Sequence, residues 1–288
     1  MDRNTARAVA VMAVPVALGL AACGGPTKSS LVGKADTICR TTNLNATSKK
    51  PTSYPELADS ARSLATATDD QVAKLQKLSV PGGDKATVSA VFGAIGGVAA
   101  AAHRLQDTAA KVDDKATAGA ADDANTSAKD AADKAKAYGF TSCGTGTQSA
   151  VTPVFDGARD IVKSAFVAKA EAICKDANKK SDAVRKPSTS DLRSFGRYLD
   201  TIQPIYTKAT ADLHALAVPP GDEAAVSDML AALEAQVAKA NDVGAAAKAN
   251  DRAKALAALD EVNVLTTAAN AKADAYGVRA CGSGSITS

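Results

Sequence analysis

The residues of this chain best suited to chemistry are five cysteines, Cys23, Cys39, Cys143, Cys174 and Cys281, and two histidines, His103 and His214. Thiols of this kind can hold a metal, cycle as a redox pair or close a disulfide. The first two uses need partners that the spacing does not supply: no Cys-x-x-Cys occurs, and no histidine lies near a cysteine in sequence. HExxH, GxSxG, SxxK and Walker patterns are also missing. The carboxylates are many, but none stands out from a charged helix surface. The sequence therefore suggests no catalytic residue, no metal ligand and no cofactor, and leaves structural bonds as the main use of the sulfurs.

Cys23 differs from the other four in what precedes it. Arg3 and Arg7 make a basic start, Ala8 to Leu20 is an apolar run of thirteen residues, and Leu20-Ala21-Ala22 leads into the cysteine. A spanning helix needs ~20 apolar residues, so the run fits the core of a secretory signal, with small residues at the cleavage site. This segment resembles the bacterial lipobox. The resemblance implies diacylglycerol on the sulfur of Cys23, removal of residues 1–22 as a lipoprotein signal peptide, and attachment to the membrane through that lipid. Each buried lipid CH₂ contributes ~0.8 kcal/mol, and stable anchoring takes more than one chain, which a diacylglycerol supplies. Gly24 to Ser30 then reads as the end of a flexible tether, residues 23–30.

Setting Cys23 aside leaves an even number of cysteines, and an exported chain folds where disulfides persist. Four cysteines allow three pairings. An internal repeat favours one of them. Leu78-Ser79-Val80-Pro81-Gly82-Gly83-Asp84 returns 138 residues later as Leu216-Ala217-Val218-Pro219-Pro220-Gly221-Asp222, and the opening helices match at an offset of 135. Each copy opens with one cysteine (Cys39, Cys174) and closes with one (Cys143, Cys281). The simplest pairing is Cys39–Cys143 and Cys174–Cys281, each bond closing its own copy. A loop of about a hundred residues gives ~4–5 kcal/mol in chain-entropy terms.

Around these cysteines the pattern is helical. Leu192, Phe195, Leu199, Ile202, Tyr206, Ala209, Leu213 and Leu216 recur at steps of three and four, which lines one helical face. Tyr54, Leu57, Ala61, Leu64, Thr68, Gln71, Leu75 and Leu78 occupy the same places in the first copy with weaker apolar character. The third helices carry Val88, Val91, Phe92, Ile95 and Ala99, then Val226, Met229, Leu230, Leu233 and Val237. Asp84 and Asp222 stand where N-caps belong, Asn250-Asp251 starts the last helix, and Gly139 and Gly277 are placed to end helices in the left-handed conformation. Strand signals are nearly absent. The expected fold class is all-α: two tandem antiparallel four-helix bundles from an internal duplication, each closed by one disulfide. The boundaries are repeat 1 at 31–146, a linker at 147–156 within a join rich in Gly, Thr and Ser around Gly144 to Asp156, and repeat 2 at 157–288. The fourth helix of the first copy, Asp114 to Ala137, has no Leu, Ile, Val, Met or Phe, whereas its counterpart has Leu256, Leu259, Val262, Val264 and Leu265. The first bundle should therefore bury less there and lean more on its disulfide. Gly93, Gly96 and Gly97 offer compensation if a neighbouring backbone approaches them.

Several polar residues also match between copies: Asp36 with Glu171, Asn43 with Asn178, and Tyr138 with Tyr276. They read as framework, the tyrosines packing over the disulfides and the asparagines joining helix to loop. His103 and His214 have Asn241 and Gln76 as counterparts, so neither belongs to a duplicated site. Residues 23–150 carry 15 Lys+Arg against 13 Asp+Glu, residues 151–288 carry 17 of each, Trp is absent and aromatics make up 3%. With no basic block interleaved with aromatics, nucleic acid is not an expected partner.

Ala-[Asp/Glu]-x-Ile-Cys at the opening, Leu-x-Val-Pro-x-Gly-Asp in the middle and Ala-Tyr-Gly-x-x-x-Cys-Gly at the close are similar to segments of small secreted and lipid-anchored alanine-rich helical proteins of high-GC Gram-positive bacteria. That resemblance spans most of residues 31–284. It implies a cell-envelope location and no particular activity. The function expected is a lipid-anchored envelope lipoprotein, not an enzyme, binding or scaffolding an unknown envelope protein or wall component. The alternatives are a carrier of a small apolar ligand in a bundle core and, least favoured, an enzyme.

Overall fold

The computed structural model describes residues 25–45, 49–187 and 191–282; Cys23 and its leader lie outside them. The described residues contain helices and no strand. The first copy holds α1 (Lys28–Asn45), α2 (Tyr54–Leu75), α3 (Lys85–Ala110) and α4 (Asp114–Tyr138). The second holds α5 (Thr147–Asp182), α6 (Leu192–His214), α7 (Glu223–Lys248), α8 (Arg252–Tyr276) and a short α9 (Arg279–Gly282). Helix α1 starts at Lys28, so the last three residues assigned to the tether are helical.

The helices begin and end for local reasons. Ser53, Asp113, Asp191 and Asp251 cap α2, α4, α6 and α8, each side chain accepting from a backbone N–H of the first turn. Gly139 and Gly277 end α4 and α8 at φ 107° and 98°, conformations that side-chain-bearing residues rarely adopt. The turns before α4 and α8 also match, with Val112 and Asn250 both left-handed at φ 53° and 58°. Asn tolerates that conformation; the β-branched Val112 is strained by it. Helix α3, with its preceding turn, is the one segment among the described residues long and apolar enough to cross a membrane, Gly82–Ala110. Here Val88, Val91, Ile95, Val98, Ala102 and Leu105 are buried in the first core.

The join between the copies is the main departure from expectation. Residues 147–156 are not a loop but the opening turns of α5, which runs unbroken for 36 residues through Pro153. Proline inside a helix removes one backbone hydrogen bond and costs ~3 kcal/mol or more. Burial offsets that cost: Ala150, Val151, Val154, Phe155, Ala158 and Ile161 enter the first core, and Phe166, Ala170 and Cys174 enter the second. Asp114, at the start of α4, pairs with Lys169 and accepts from the Tyr54 hydroxyl of α2. At the other end Gly144 lies against Ala132 and Ala135 of α4. Helices α4 and α5 therefore run antiparallel.

In the first bundle the fourth corner is shared. Helix α1 covers the C-terminal part of α2, where Gln71 reaches Cys39, and the first half of α5 covers its N-terminal part. The segment before α2 presses on α5 at Gly157, where any side chain would collide with Pro51, and Lys50 pairs with Asp160 at 2.6 Å.

This arrangement reverses the expectation for α4. Its alanines pack against both α3 and α5, so Ala121, Ala124, Ala128, Ala131 and Ala135 are all buried. In the second bundle no described helix takes the place of the first half of α5. Phe195, Tyr206 and Leu259 stand where Leu57, Thr68 and Ala121 stand in the first copy, and they pack on the small cluster of Leu199, Ile202 and Val262. Leu256, the counterpart of buried Ala118, is 53% exposed. The alanine-only helix is thus the better covered of the two. Gly93, Gly96 and Gly97 do not serve the close approach expected of them, since open space adjoins all three.

Phe155→Ala should cost about 3–5 kcal/mol, as for a large core truncation, whereas a flexible linker would tolerate it. Ala128→Leu should cost ~1–3 kcal/mol through overpacking, and Leu256→Ala should stay within about 0.5 kcal/mol. Urea titrations followed by far-ultraviolet circular dichroism test all three.

Candidate functional site

The best-organised polar groups lie where each bundle is closed. Asp36, Cys39 and Asn43 are spaced by three and four residues, which puts them on one face of α1. That face grips the π-helical turn Ser142–Gly146 that links α4 to α5. The Asp36 carboxylate accepts from the backbone N–H groups of Thr141, Ser142 and Cys143 and from Thr141 Oγ1, at 2.7–3.2 Å. Cys39 is bonded to Cys143 with Cα atoms 5.0 Å apart. The Asn43 amide donates to the Ser142 carbonyl at 2.9 Å.

The second copy repeats the device. Glu171, Cys174 and Asn178 share a face of α5. Glu171 accepts from the Ala280 N–H at 2.7 Å, Cys174 is bonded to Cys281 with the same 5.0 Å Cα separation, and Asn178 donates to the Ala280 carbonyl at 2.9 Å. Both disulfides are those expected from the repeat, and they are consistent with an extracytoplasmic location.

Burial alone would raise the Asp36 carboxyl, but the hydrogen bonds from Thr141, Cys143 and Ser142 outweigh it and hold it below the ordinary carboxylate value. The Ala280 N–H, then Lys175, lowers Glu171. Both groups therefore favour the fold when ionised.

A second matched cluster joins the start of the third helix to the end of the fourth. Asp84 and Asp222 occupy N-cap positions, yet neither side chain caps. They accept instead from the hydroxyls of Tyr138 and Tyr276, at 2.7 and 2.8 Å. Lys28 and Lys163, also equivalent, lie over those rings at 4.4 and 4.7 Å from the centroids. Burial, then Asp84, pushes the Tyr138 hydroxyl up to about 12; burial and Asp222 raise Tyr276 likewise. Each tyrosine is thus a clamp between helix ends, tilted against Phe140 in one copy and edge-on to Phe166 in the other. The lysine partners were legible at the offset of 135 but carried no chemical signal of their own.

The histidines remain on the surface and apart from these clusters. His103 meets Asp69 at 2.9 Å and His214 meets Glu234 at 2.7 Å, both half-exposed. Among the described residues no three His, Cys, Asp or Glu side chains gather as a metal site requires.

The two copies differ at one place inside the closure. In the first, Gln71 is fully buried and its amide donates to Cys39 Sγ at 2.8 Å. Its counterpart is Ala209. The space left holds a cavity of about 40 Å³, lined by Cys174, Cys281, Asn178, Tyr206 and Gln236 among others. Two of its wall residues, Ala177 and Ala209, also line an open groove of about 490 Å³ between α5 and α6. Ile173, Pro204 and Ile205 line that groove too, and the pairs Lys180–Asp176 and Lys208–Asp212 rim it.

No protein-family model, curated protein or solved structure matches this chain. The closing clusters therefore stand on their own geometry, which is that of a duplicated structural clasp with one copy hollowed.

The carboxylate shifts fix a sign for acid behaviour. A folded-state value below the unfolded one contributes stability above the ordinary carboxylate range, ~3.9–4.3, and that contribution is lost as pH falls through the lowered value. Asp36→Asn should destabilise by roughly 1.5–3 kcal/mol at pH 7, the range for hydrogen bonds to a charged group, and by much less near pH 2.5. Urea melts of both proteins across that range measure the convergence.

Proposed function

We propose that this chain is a lipid-anchored lipoprotein of the bacterial cell envelope, tethered through Cys23 and presenting two joined helical bundles as a non-enzymatic binding or scaffold module. The observation that carries this reading is the segment Arg3 to Cys23: a basic start, a thirteen-residue apolar run and Leu-Ala-Ala before the cysteine. The two disulfides support it, since such bonds persist outside the reducing cytoplasm. The internal repeat supports the module half of the proposal: what is duplicated is framework, namely the closing bonds and the turns between helices. The partner is an envelope protein or wall component, and the groove between α5 and α6 is the surface best shaped to meet it. A carrier of an apolar ligand fits less well, because the cavity of about 40 Å³ beside Cys174–Cys281 is far below the ~300 Å³ of ordinary ligand pockets.

The lipid is tested by expressing the full chain and its Cys23→Ser variant in a Gram-positive host. The parent should partition into the detergent phase of Triton X-114 extracts and carry a mass increment of one diacylglycerol on a chain beginning at Cys23. The variant should move to the aqueous phase. Equal partitioning of the two, or a mature parent without added lipid mass, overturns the proposal.

A further inference from the structure

We propose that the Cys174–Cys281 disulfide is a site of thiol exchange with an external dithiol, and that Cys39–Cys143 is its sealed counterpart. This goes beyond the envelope-module reading and does not depend on the lipid. The difference begins at one equivalent position. Gln71 fills the space beside the first bond and places its amide on Cys39 Sγ, and both Cys39 and Cys143 are 0% exposed. Ala209 stands there in the second copy, and Cys174 and Cys281 are 7% and 8% exposed.

The cavity that replaces Gln71 is bordered by both bonded cysteines. Its partition from the α5–α6 groove includes Ala177 and Ala209, where the first copy has the larger Thr42 and Gln71. The groove thus brings solvent to within one layer of small side chains of the sulfurs. Inside, Gln236 is buried and lines the cavity; the equivalent residue in the first copy is Val98. An amide N–H in that cavity is suited to receive a thiolate as it leaves.

The chemistry balances with a dithiol as the reductant. Its thiolate attacks one sulfur of the pair and forms a mixed disulfide, while the Cys174–Cys281 bond breaks and the other cysteine leaves as a thiolate. The second thiol of the reagent then closes on the first, releases the remaining cysteine and departs as a cyclic disulfide. Two electrons and two protons pass to the protein, which ends with two free thiols. Access governs such rates as much as thiol acidity does. After reduction, α9 keeps its links to α5 through Glu171 and Asn178, so the closing turn is loosened without being lost.

The experiment treats the detergent-solubilised full chain with dithiothreitol under native conditions, quenches samples with N-ethylmaleimide over time, and quantifies each cysteine peptide by mass spectrometry. Cys174 and Cys281 should be labelled roughly tenfold or more faster than Cys39 and Cys143. Ala209→Gln should slow the second bond towards the first, and Gln71→Ala should speed the first towards the second, with circular dichroism confirming that each variant is folded. Equal or reversed rates in the parent overturn the proposal. So does an unchanged second-bond rate in folded Ala209→Gln. If that variant does not fold, an unchanged first-bond rate in Gln71→Ala overturns it instead.

Discussion

The burial of one apolar stripe, on α5, organises the rest of the molecule. Ala150, Val151, Val154, Phe155 and Ala158 belong to the first core, while Phe166, Ala170 and Cys174 belong to the second. A single rigid rod is therefore a wall of both bundles. This explains why α4 can be built of alanine. A helix covered on two sides needs small residues so that both neighbours approach, and the larger area that it hides replaces the bulk of individual side chains. It also explains why α8 differs. With no described helix beside it in the equivalent place, Leu259 of α8 and Phe195 and Tyr206 of α6 grow into the space. The two copies are thus not a strong and a weak version of one bundle. They are two solutions to the same corner, one filled by a helix and the other by side chains.

The two copies share the closure and differ in the packing around it. The carboxylate, sulfur and amide on one helical face recur as Asp36, Cys39 and Asn43, then Glu171, Cys174 and Asn178, and each set grips the turn after a left-handed glycine. The tyrosine clamps recur with the same hydroxyl acceptors. These groups satisfy backbone donors and acceptors that would otherwise be buried unpaired, a loss of ~1–3 kcal/mol each. Positions facing the interior around the closure differ between the copies. Gln71 on α2 is matched by Ala209 on α6, and Val98 on α3 by Gln236 on α7, so the polar group stands on different walls of the two cores.

The helices, their matched ends at Gly139 and Gly277 and the two disulfides were legible in the sequence, because each rests on local chemistry or on the repeat itself. The passage of α5 through the join was not. Gly144, Gly146, Pro153 and Gly157 are breakers by local rules, and only the burial of Val154 and Phe155 against helices distant in sequence overrides them. The role of Asp84 and Asp222 was half legible. Their position is that of an N-cap, but the acceptor faces a tyrosine hydroxyl 54 residues away. Gly93, Gly96 and Gly97 misled for a similar reason, since nothing in a glycine's identity says whether a neighbour comes near. The hollow beside Cys174 required a comparison of the copies inside the fold, and Cys23 lies outside the described residues altogether.

Sharing α5 also sets how a disturbance in one bundle reaches the other. The first half of α5 is fixed by the first core and by Lys50–Asp160, and Lys169–Asp114 ties its second half to α4, so the helix has anchors besides the bond at Cys174. A change at the second closure meets α9 and the faces of α5, α6 and α7 around the cavity. Loss of packing between α4 and α5 would free the rod on which Glu171, Cys174 and Asn178 are mounted, and with it the register of all three against α9. The bundles are therefore coupled through α5, whose N-terminal half lies in the first core and whose later residues lie in the second, and a coupling free energy of this kind is the same whichever bundle is perturbed.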